Sequence, residues 1–441
     1  MANKKQNTEK KAKSKSQQRK EVGAFALGAA AVGFAAAKAA KKGKNKKQKK
    51  VINAVAFILV VVIIVCGVMF YMDIAPFNFE INGDSFKFYS YTPIIPVKDI
   101  GDLQLSDFRL HVIDVNQGDC LFLQLPDGKN MLIDGAKKSD VIANGILDYL
   151  FADANGIAAD GKVVIDYVVL THADADHCGS LDDVIKSDKV DVKNVYRPLI
   201  LSSYESDSLK EYASANNLGY STITTVVYKE FVKAVEEENG CQTYYNLGNR
   251  TLSGDGYTMY FFNPTIDMYQ DVKSAQDKNN VSPIIILDLE VAGKKIALTG
   301  DADKEQEDNF ISQLSDNEYG IDSAFCDVDI LKVAHHGGKE SSNQEFLEVV
   351  KPEYALISVG AKNTYGHPTQ EALQRLDGIG CKTIYRTDLN GSIVVTVTAD
   401  GTLSFDTTGS VSAAAGVGRF DYDFFAVYKN LIKSAKQYMA A

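Results

Sequence analysis

Two histidines and two aspartates lie within six residues of one another, directly after an apolar strand-like run. The run Tyr167–Leu170 continues into the segment THADADHCG, residues 171–179. A loop that leaves a strand can bring these side chains to one point, and imidazole nitrogen with carboxylate oxygen is a ligand set for zinc, manganese or iron. A polar turn whose aspartates cap a helix at Ser180 is the alternative, but it accounts for one aspartate and for neither histidine. The segment therefore predicts a metal site.

Other apolar runs end in residues of the same kinds. They are Met131–Ile133, which ends at Asp134, Lys295–Thr299, which leads to Asp301, and Val328–Ala334, which leads to His335 and His336. A later loop adds His367. Five of the six histidines thus lie at the ends of strand-like runs, and only His111 lies inside one. This distribution predicts that the loops converge on a single site.

Strand-like runs and helical patterns alternate from Phe108 onward. Runs such as Leu110–Val115 and Cys120–Leu125 are followed by helical patterns such as Ser180–Lys186 and Lys304–Leu314. Interleaving of this kind indicates a layered α/β domain, which we place at residues 108–408. The hairpin-like strands at its start argue against a purely parallel, doubly wound sheet.

The order of these motifs resembles the metallo-β-lactamase fold and, more narrowly, the metallo-hydrolase domain of ComEC-type competence proteins. The similarity spans residues 108–405. It rests on HADADH, in which Asp174 stands in place of the motif's second histidine. It rests also on HVIDVNQGDCLFLQLPDGKNMLIDG (111–135), TGD (299–301), VAHHGG (333–338) and YGHP (365–368). The resemblance implies an α/β fold of the metallo-β-lactamase type, an αββα sandwich.

The resemblance also implies a centre of two divalent ions, Zn or Mn. His172 and Asp174 with a later histidine would hold one ion, and Asp176 and His177 with another later histidine would hold the second. Asp301 would bridge both ions. A carboxylate-rich ligand set favours a harder ion such as manganese, with zinc as the alternative.

The remaining motif residues have several candidate roles. Asp134 would either support the site or contact a metal. His335 and His336 are alternative ligands, and the other one would be a general acid or a phosphate contact. The fold's middle histidine is missing, because no histidine lies between 178 and 334, and the segment Asn279–Ser282 stands there instead. His367 would fill that gap or, with Asp176 and His336, take part in catalysis.

The function implied by the resemblance is hydrolysis, because a bound metal makes hydroxide available near neutral pH. A phosphodiesterase or nuclease linked to extracellular DNA processing or uptake is the first hypothesis, with a phosphodiester, DNA included, as the substrate. Hydrolysis of a small phosphodiester or an acyl compound is the alternative. A non-catalytic scaffold that keeps the fold is the third hypothesis, motivated by the missing histidine.

The charge distribution opposes nucleic-acid binding. Residues 1–50 contain 16 basic and 2 acidic residues, so 47 − 16 = 31 basic and 57 − 2 = 55 acidic residues remain in 51–441, a net charge of −24. Affinity for a polyanion depends on Lys and Arg that neutralise phosphates. A local basic patch near the site motifs would supply them: Lys332, Lys339, Lys362, Arg375, Lys382 and Arg386.

The amino-terminal part of the chain predicts a membrane anchor. Residues 1–50 are a basic, disordered tail, and residues 51–72 are 22 residues without a charge, long enough for one transmembrane helix. The lysines before this helix place the amino terminus in the cytoplasm and residues 73–441 outside the cell membrane. If the Ala/Gly-rich residues 24–40 also crossed the membrane, the hydrolase domain would face the cytoplasm.

Two further segments complete the expected organisation. Residues 73–107 read as a stalk or a small β element, and residues 409–441 as a linker with a carboxy-terminal helix. The sequence identifies no protein partner.

Overall fold

The computed structural model describes most of the chain from residue 77 to residue 419. The described ranges are 77–81, 84–89, 94–97, 100–202, 205, 207–217, 225–245, 251–272, 276–361, 363–409 and 417–419. The chain divides into a small unit, 1–90 with 416–441, and a large unit, 91–415. Across these described ranges, no helix has the length and apolar character needed to cross a membrane. The predicted transmembrane helix at 51–72, the segment 24–40 and the predicted carboxy-terminal helix lie outside them.

The described part of the small unit is a three-stranded sheet. β1 (Phe77–Ile81) pairs antiparallel with β2 (Asp84–Tyr89). A strand at Val417–Arg419 pairs parallel with β2. Residues from 73–107 and from 409–441 therefore meet in one sheet.

The first half of the large unit contributes six strands and five helices. The strands are β3 (Phe108–Val112), β4 (Leu121–Gln124), β5 (Asn130–Ile133), β6 (Val163–Val169), β7 (Val190–Arg197) and β8 (Gln242–Tyr245). The helices are α1 (Asp140–Leu150), α2 (Ala175–Cys178), α3 (Leu181–Ile185), α4 (Asp207–Ala215) and α5 (Val226–Glu237). Side-chain caps fix two helix starts: Ser139 accepts a hydrogen bond from the backbone N–H of Val141, and Thr225 accepts one from that of Tyr228.

The second half contributes nine strands and five helices. The strands are β9 (Thr251–Gly254), β10 (Tyr257–Phe262), β11 (Ile284–Leu289), β12 (Lys294–Leu298), β13 (Ile330–Lys332), β14 (Tyr354–Ile357), β15 (Thr383–Arg386), β16 (Ile393–Val397) and β17 (Leu403–Thr407). The helices are α6 (Ile266–Asp271), α7 (Lys304–Ser315), α8 (Gln344–Val350), α9 (Gln370–Gly378) and α10 (Thr387–Asn390). The run predicted at Val328–Ala334 is shorter in the structure, because a 3₁₀ turn at Ala334–Gly337 follows β13.

The strands form two sheets that pack face to face. One sheet has the order β17-β16-β3-β4-β5-β6-β7-β8, and the other has the order β15-β14-β13-β12-β11-β10-β9. β11 shows the arrangement, since Ile285 and Leu287 lie in the core between the sheets while Ile284 and Ile286 face the outer helices. Helices pack on both outer faces. The layered α/β class predicted from the sequence is confirmed.

The parallel strands bring the site loops to one edge of the sandwich. β5 runs parallel to β6 in the first sheet, and β12, β13 and β14 run parallel in the second. The carboxyl ends of neighbouring parallel strands lie at the same edge. The loops that follow these ends contain Asp134, His172, Asp301 and His336. The strand topology therefore brings the four side chains to the same edge of the sandwich.

Candidate metal centre

The histidine-rich loop after β6 carries two fully buried imidazoles. His172 and His177 have no solvent exposure, and their ring centroids lie 4.1 Å apart. Asp174 is the N-cap residue of α2, yet its side chain makes no capping hydrogen bond. Its carboxylate forms an ion pair with Lys278 instead. The side chain of Asp174 therefore does not cap the helix, as the alternative interpretation of the loop required.

Asp134 holds this loop in place through hydrogen bonds. Its backbone is left-handed, with a φ of 59°, and its side chain is fully buried. One carboxylate oxygen accepts the backbone N–H of Thr171 at 2.8 Å, and the other accepts the Thr171 hydroxyl and Nδ1–H of His177, both at 2.7 Å. Both oxygens are thus engaged by the protein. Of the two roles predicted for Asp134, the geometry matches support of the site.

Asp301 lies at the middle of the centre. Its Oδ2 is 3.2 Å from His177 Nε2, 3.5 Å from His336 Nε2 and 3.9 Å from His335 Nε2. Burial alone would raise the pKa of Asp301, but His177 and His336 outweigh it and hold this pKa well below its ordinary value. Burial likewise opposes the charged form of His177, and the carboxylates of Asp301 and Asp134 outweigh it, so the pKa of His177 is raised.

Several buried polar atoms around Asp301 lack a hydrogen-bond partner. They are Nε2 of His172, His177 and His336 and Oδ1 of Asp301. A buried polar atom without a partner is costly, and a metal ion is one explanation for it. The Nδ1 atoms of the same histidines face Thr171 Oγ1, Asp134 Oδ2 and the carbonyl oxygen of Ser358 at 2.7–3.1 Å. Such bonds leave Nε2 available as a ligand. The donor set therefore fits a divalent ion.

The two histidines of VAHHGG face different partners. His336 is buried, and its Nε2 lies 3.7 Å from Asp176 Oδ2 as well as near Asp301. His335 is partly exposed, and its Nδ1 donates to Asp303 Oδ1 at 3.0 Å. His336 is thus the better-placed ligand, and His335 lies at the accessible side.

An unusual backbone produces this divergence. His335, His336 and Gly337 are consecutive left-handed residues with φ values of 48°, 54° and 80°. Left-handed backbone is unfavourable for residues with a Cβ, so the surroundings must hold it. The backbone N–H of His335 donates to the Gly300 carbonyl oxygen, and the Gly337 carbonyl oxygen accepts the N–H of Thr369 at 2.9 Å.

His367 lies at the rim of the centre. Its ring centroid is 5.3 Å from that of His335 and 6.5 Å from that of His336. Burial, together with the neighbouring His335 and His336, lowers the pKa of His367 to about 4. The structure therefore brings His367 beside the paired histidines.

Of the eight predicted ligands, all but Asp174 and His335 fall in three overlapping groups. In the described part of the chain, ligand atoms lie within 4.8 Å of one another in His172–His177–Asp301, in Asp176–His177–His336 and in Asp119–Asp134–His177. Asp174 belongs to none of these three groups.

Asp119 is a further carboxylate of the centre that was not among the predicted site residues. This aspartate is buried, its Oδ2 pairs with Lys332 Nζ at 2.7 Å, and its Oδ1 lies 3.4 Å from His336 Nδ1. Burial opposes its ionisation, but Lys332 and His336 outweigh it and lower the pKa of Asp119. The available signal was its place in NQGD, directly before the apolar run Cys120–Leu125.

The prediction of a basic patch is wrong at Lys332. Most of the other residues of the predicted patch are paired with protein groups. Lys332 is fully buried against Asp119. Arg386 pairs with Asp388 at 2.7 Å, Lys382 pairs with Glu353, and Arg375 donates to three backbone carbonyl oxygens. Lys339 is exposed, and Lys362 lies outside the described residues. These basic side chains therefore do not form the patch of free positive charge that the sequence predicted for phosphate binding.

Comparison with known proteins gives the class of the domain. Residues 113–257 match the family model described as the Metallo-beta-lactamase superfamily. This match, which agrees with the two-sheet fold and the histidine–aspartate centre, assigns these residues to a domain of the metallo-β-lactamase superfamily.

Curated relatives show which proteins this domain is similar to. It is 27% identical to ComE operon protein 3 of Bacillus subtilis over 65% of this chain and 33% of that protein. It is 24% identical to Recombination protein 2 of Haemophilus influenzae over 62% of this chain and 27% of that protein. Competence protein ComA of Neisseria gonorrhoeae is 34% identical over 24% of this chain and 14% of that protein. The predicted resemblance to ComEC-type competence proteins is confirmed, and the chain spans a third or less of each relative's length.

Two solved structures also match, at low sequence identity. The metallo-β-lactamase fold protein YhfI of Bacillus subtilis is 11% identical, with a TM-score of 0.37, over 66% of this chain and 99% of that chain. Zn²⁺-bound PqqB of Methylobacterium extorquens is 10% identical, with a TM-score of 0.33, over 61% of this chain and 85% of that chain.

Proposed function

We propose that this protein is a metal-dependent phosphodiesterase of the nuclease type. The observation that carries the proposal is the set of unpartnered Nε2 atoms of His172, His177 and His336 around Asp301, at the edge of the sandwich where the loops open. The printed names of the relatives, Competence protein ComA and Recombination protein 2, support a DNA-related role.

When bound, a Zn or Mn ion would lower the pKa of water and so supply hydroxide at neutral pH. His177, His336, Asp301 and Asp176 would hold the ion. Asp134 keeps Nε2 of His177 directed at Asp301 by accepting a hydrogen bond from Nδ1–H. The carbonyl oxygen of Ser358 does the same for His336 at 2.7 Å.

His335 is the side chain that we propose as the proton donor to the leaving oxygen. It is partly exposed, so a substrate reaches it, and Asp303 fixes its ring through Nδ1. His367 stands beside it at the rim and would contact the same substrate group. A proton donor must lie within hydrogen-bond reach of the leaving atom, and this pair lines the accessible side.

A small phosphodiester is the second candidate substrate. The pairing of Lys332, Lys382 and Arg386 with carboxylates favours it, because these side chains do not remain free to neutralise successive phosphates. Salt dependence distinguishes the candidates: cleavage of DNA would weaken steeply with salt, and cleavage of a small diester would not.

The test is a hydrolysis assay on the purified full-length chain. Plasmid DNA, RNA and bis-p-nitrophenyl phosphate are incubated with Mn²⁺, with Zn²⁺ or with a chelator. We expect metal-dependent cleavage that Asp301→Asn abolishes and that Asp308→Asn, at an exposed ion pair with Lys304, leaves unchanged. Absence of cleavage of all three substrates by a folded, metal-loaded chain would refute the proposal and favour a non-catalytic scaffold.

We further propose that residues 51–72 anchor the protein in the cell membrane, with the amino terminus in the cytoplasm and the hydrolase domain outside. The support is the uncharged run and the lysines before it. Protease treatment of intact cells should digest the hydrolase domain. Protection of that domain in intact cells, with digestion after lysis, would contradict this orientation and favour a second span at 24–40.

A further inference from the structure

Lys278 is a buried lysine that pairs with one of the predicted metal ligands. It lies in the 3₁₀ turn Gln276–Val281, its side chain is 4% exposed, and its ammonium forms an ion pair with Oδ1 of Asp174. The other oxygen of Asp174 lies 3.9 Å from Nε2 of His172. An ammonium group therefore contacts one of the two residues that the resemblance assigned to the first metal ion, Asp174.

The turn that carries Lys278 is fixed to the rest of the site. Asn280 donates to Glu305 at 2.9 Å, and the hydroxyl of Ser282 accepts the backbone N–H of Asp301 at 3.4 Å. Lys278 is thus presented by an anchored turn and is not a surface side chain that happens to fold inward.

The group around His172 lacks the later histidine that the resemblance requires: among the described residues its ligand atom lies within 4.8 Å of those of His177 and Asp301, and the group does not include Asp174. Asn279 directs its amide nitrogen to Asp303 and His335, at 3.4 Å and 3.3 Å. His367 lies beside His335, at the other side of the centre. A protonated lysine has three donors and no lone pair, so Lys278 repels a cation and cannot bind it.

The two sides of the centre therefore differ in charge. Asp174 is neutralised by Lys278. Among the described residues, Asp176 and Asp301 have histidines as their only basic neighbours within 4 Å, and Asp119 is matched by Lys332. The side of Asp176 thus keeps its own carboxylate in addition to the shared Asp301, whereas the side of His172 and Asp174 has only the shared Asp301.

We infer that the Lys278 ammonium takes the place of the first metal ion and that the chain holds one divalent ion, at Asp176, His177, His336 and Asp301. Lys278 and Asp174 then form a neutral ion pair beside a mononuclear centre. The inference rests on the proposed metal-dependent function, and it replaces the two ions implied by the resemblance with one.

The test is the metal content of the purified full-length chain. The chain is stripped with a chelator, loaded with excess Mn²⁺ or Zn²⁺, separated from free metal and analysed by mass spectrometry. We expect one ion per chain in the wild type and in Lys278→Arg, and a rise to two in Lys278→Ala. Lys138→Met, which removes a lysine paired with Asp182 and Asp183 elsewhere, should keep the wild-type count.

Electron paramagnetic resonance of the Mn²⁺-loaded wild type gives a second readout that does not depend on the folding of any variant. We expect the six-line signal of an isolated ion. An exchange-coupled signal, two ions in the wild type, or a count of one in folded Lys278→Ala would overturn the inference. One ion without phosphodiester cleavage would refute the proposed function and leave the inference standing, whereas no bound ion would refute both.

Discussion

Nδ1 of His177 donates a 2.7 Å hydrogen bond to Oδ2 of Asp134, and both side chains are fully buried. The bond links the end of β5 to the loop after β6 and fixes which ring nitrogen of His177 faces Asp301. A partner of this kind commonly changes metal affinity 10- to 100-fold.

The first prediction concerns this bond. Asp134→Asn should weaken metal binding by roughly 10- to 100-fold, because the amide is a poorer partner for Nδ1–H of His177. The measurement is the metal dissociation constant from competition with a chelator. Asp329→Asn is the matched control, since Asp329 accepts the backbone N–H of Lys295 away from the centre. An unchanged constant in folded Asp134→Asn would contradict the orienting role.

The paired histidines should separate into two functions. His336→Ala should lose the metal, because Nε2 of His336 lies near both Asp301 and Asp176. His335→Ala should retain it and lose turnover, by about 10²- to 10⁴-fold if His335 is the proton donor. Metal content and kcat are measured on both variants. The opposite pattern, with metal lost only in His335→Ala, would exchange the two assignments.

The sequence predicts those site residues whose location follows from their place at the end of an apolar run. Asp134, His177 and Asp301 follow apolar runs, and parallel strands necessarily bring such ends to one edge. Lys278 and Asp174 are 104 positions apart, and their contact exists because a 3₁₀ turn from the second half reaches the loop of the first. The burial of Lys332 depends likewise on Asp119 reaching it across the sheets. No periodicity or spacing in a single sequence predicts contacts between residues that lie so far apart along the chain.

Gly337 makes a prediction about stability. It has a φ of 80°, and a Cβ there would lie 2.5 Å from Cβ of Pro368. Gly337→Ala should lower the free energy of unfolding by roughly 2–4 kcal/mol, from left-handed strain and overpacking together. Gly366→Ala is the matched control, because Gly366 has a φ of 78° and no atom within 4 Å of the added Cβ. Gly366→Ala should lower the free energy of unfolding by about 1–2 kcal/mol, from backbone strain alone.

Urea unfolding of the two alanine variants checks this difference. Because both glycines have nearly the same φ angle, the difference in unfolding free energy reports mainly the contact with Pro368. Equal losses in the two variants would show that the packing of VAHHGG against YGHP does not constrain the site.

Glu307 gives a prediction about pH. This carboxyl is buried in α7 and accepts the backbone N–H groups of Ser342 and Asn343. Burial raises the pKa of Glu307 from 4.5 to about 7, and these hydrogen bonds only partly offset it. The folded state therefore binds this proton more tightly than the unfolded state does. The contribution to stability is present in full below pH 4.5 and is lost as the pH rises through about 7.

The size of that loss follows from the shift. A rise of the pKa from 4.5 to about 7 corresponds to roughly 3 kcal/mol, so the wild type should lose about this much relative to Glu307→Gln between pH 4.5 and 8. Urea unfolding of both proteins across this range, with the metal content held constant, measures the difference. Glutamine keeps the size of the side chain and cannot ionise, so its own curve subtracts the titration of every other group. Parallel curves for the two proteins would mean that the N–H groups of Ser342 and Asn343 stabilise the carboxylate enough to cancel the effect of burial.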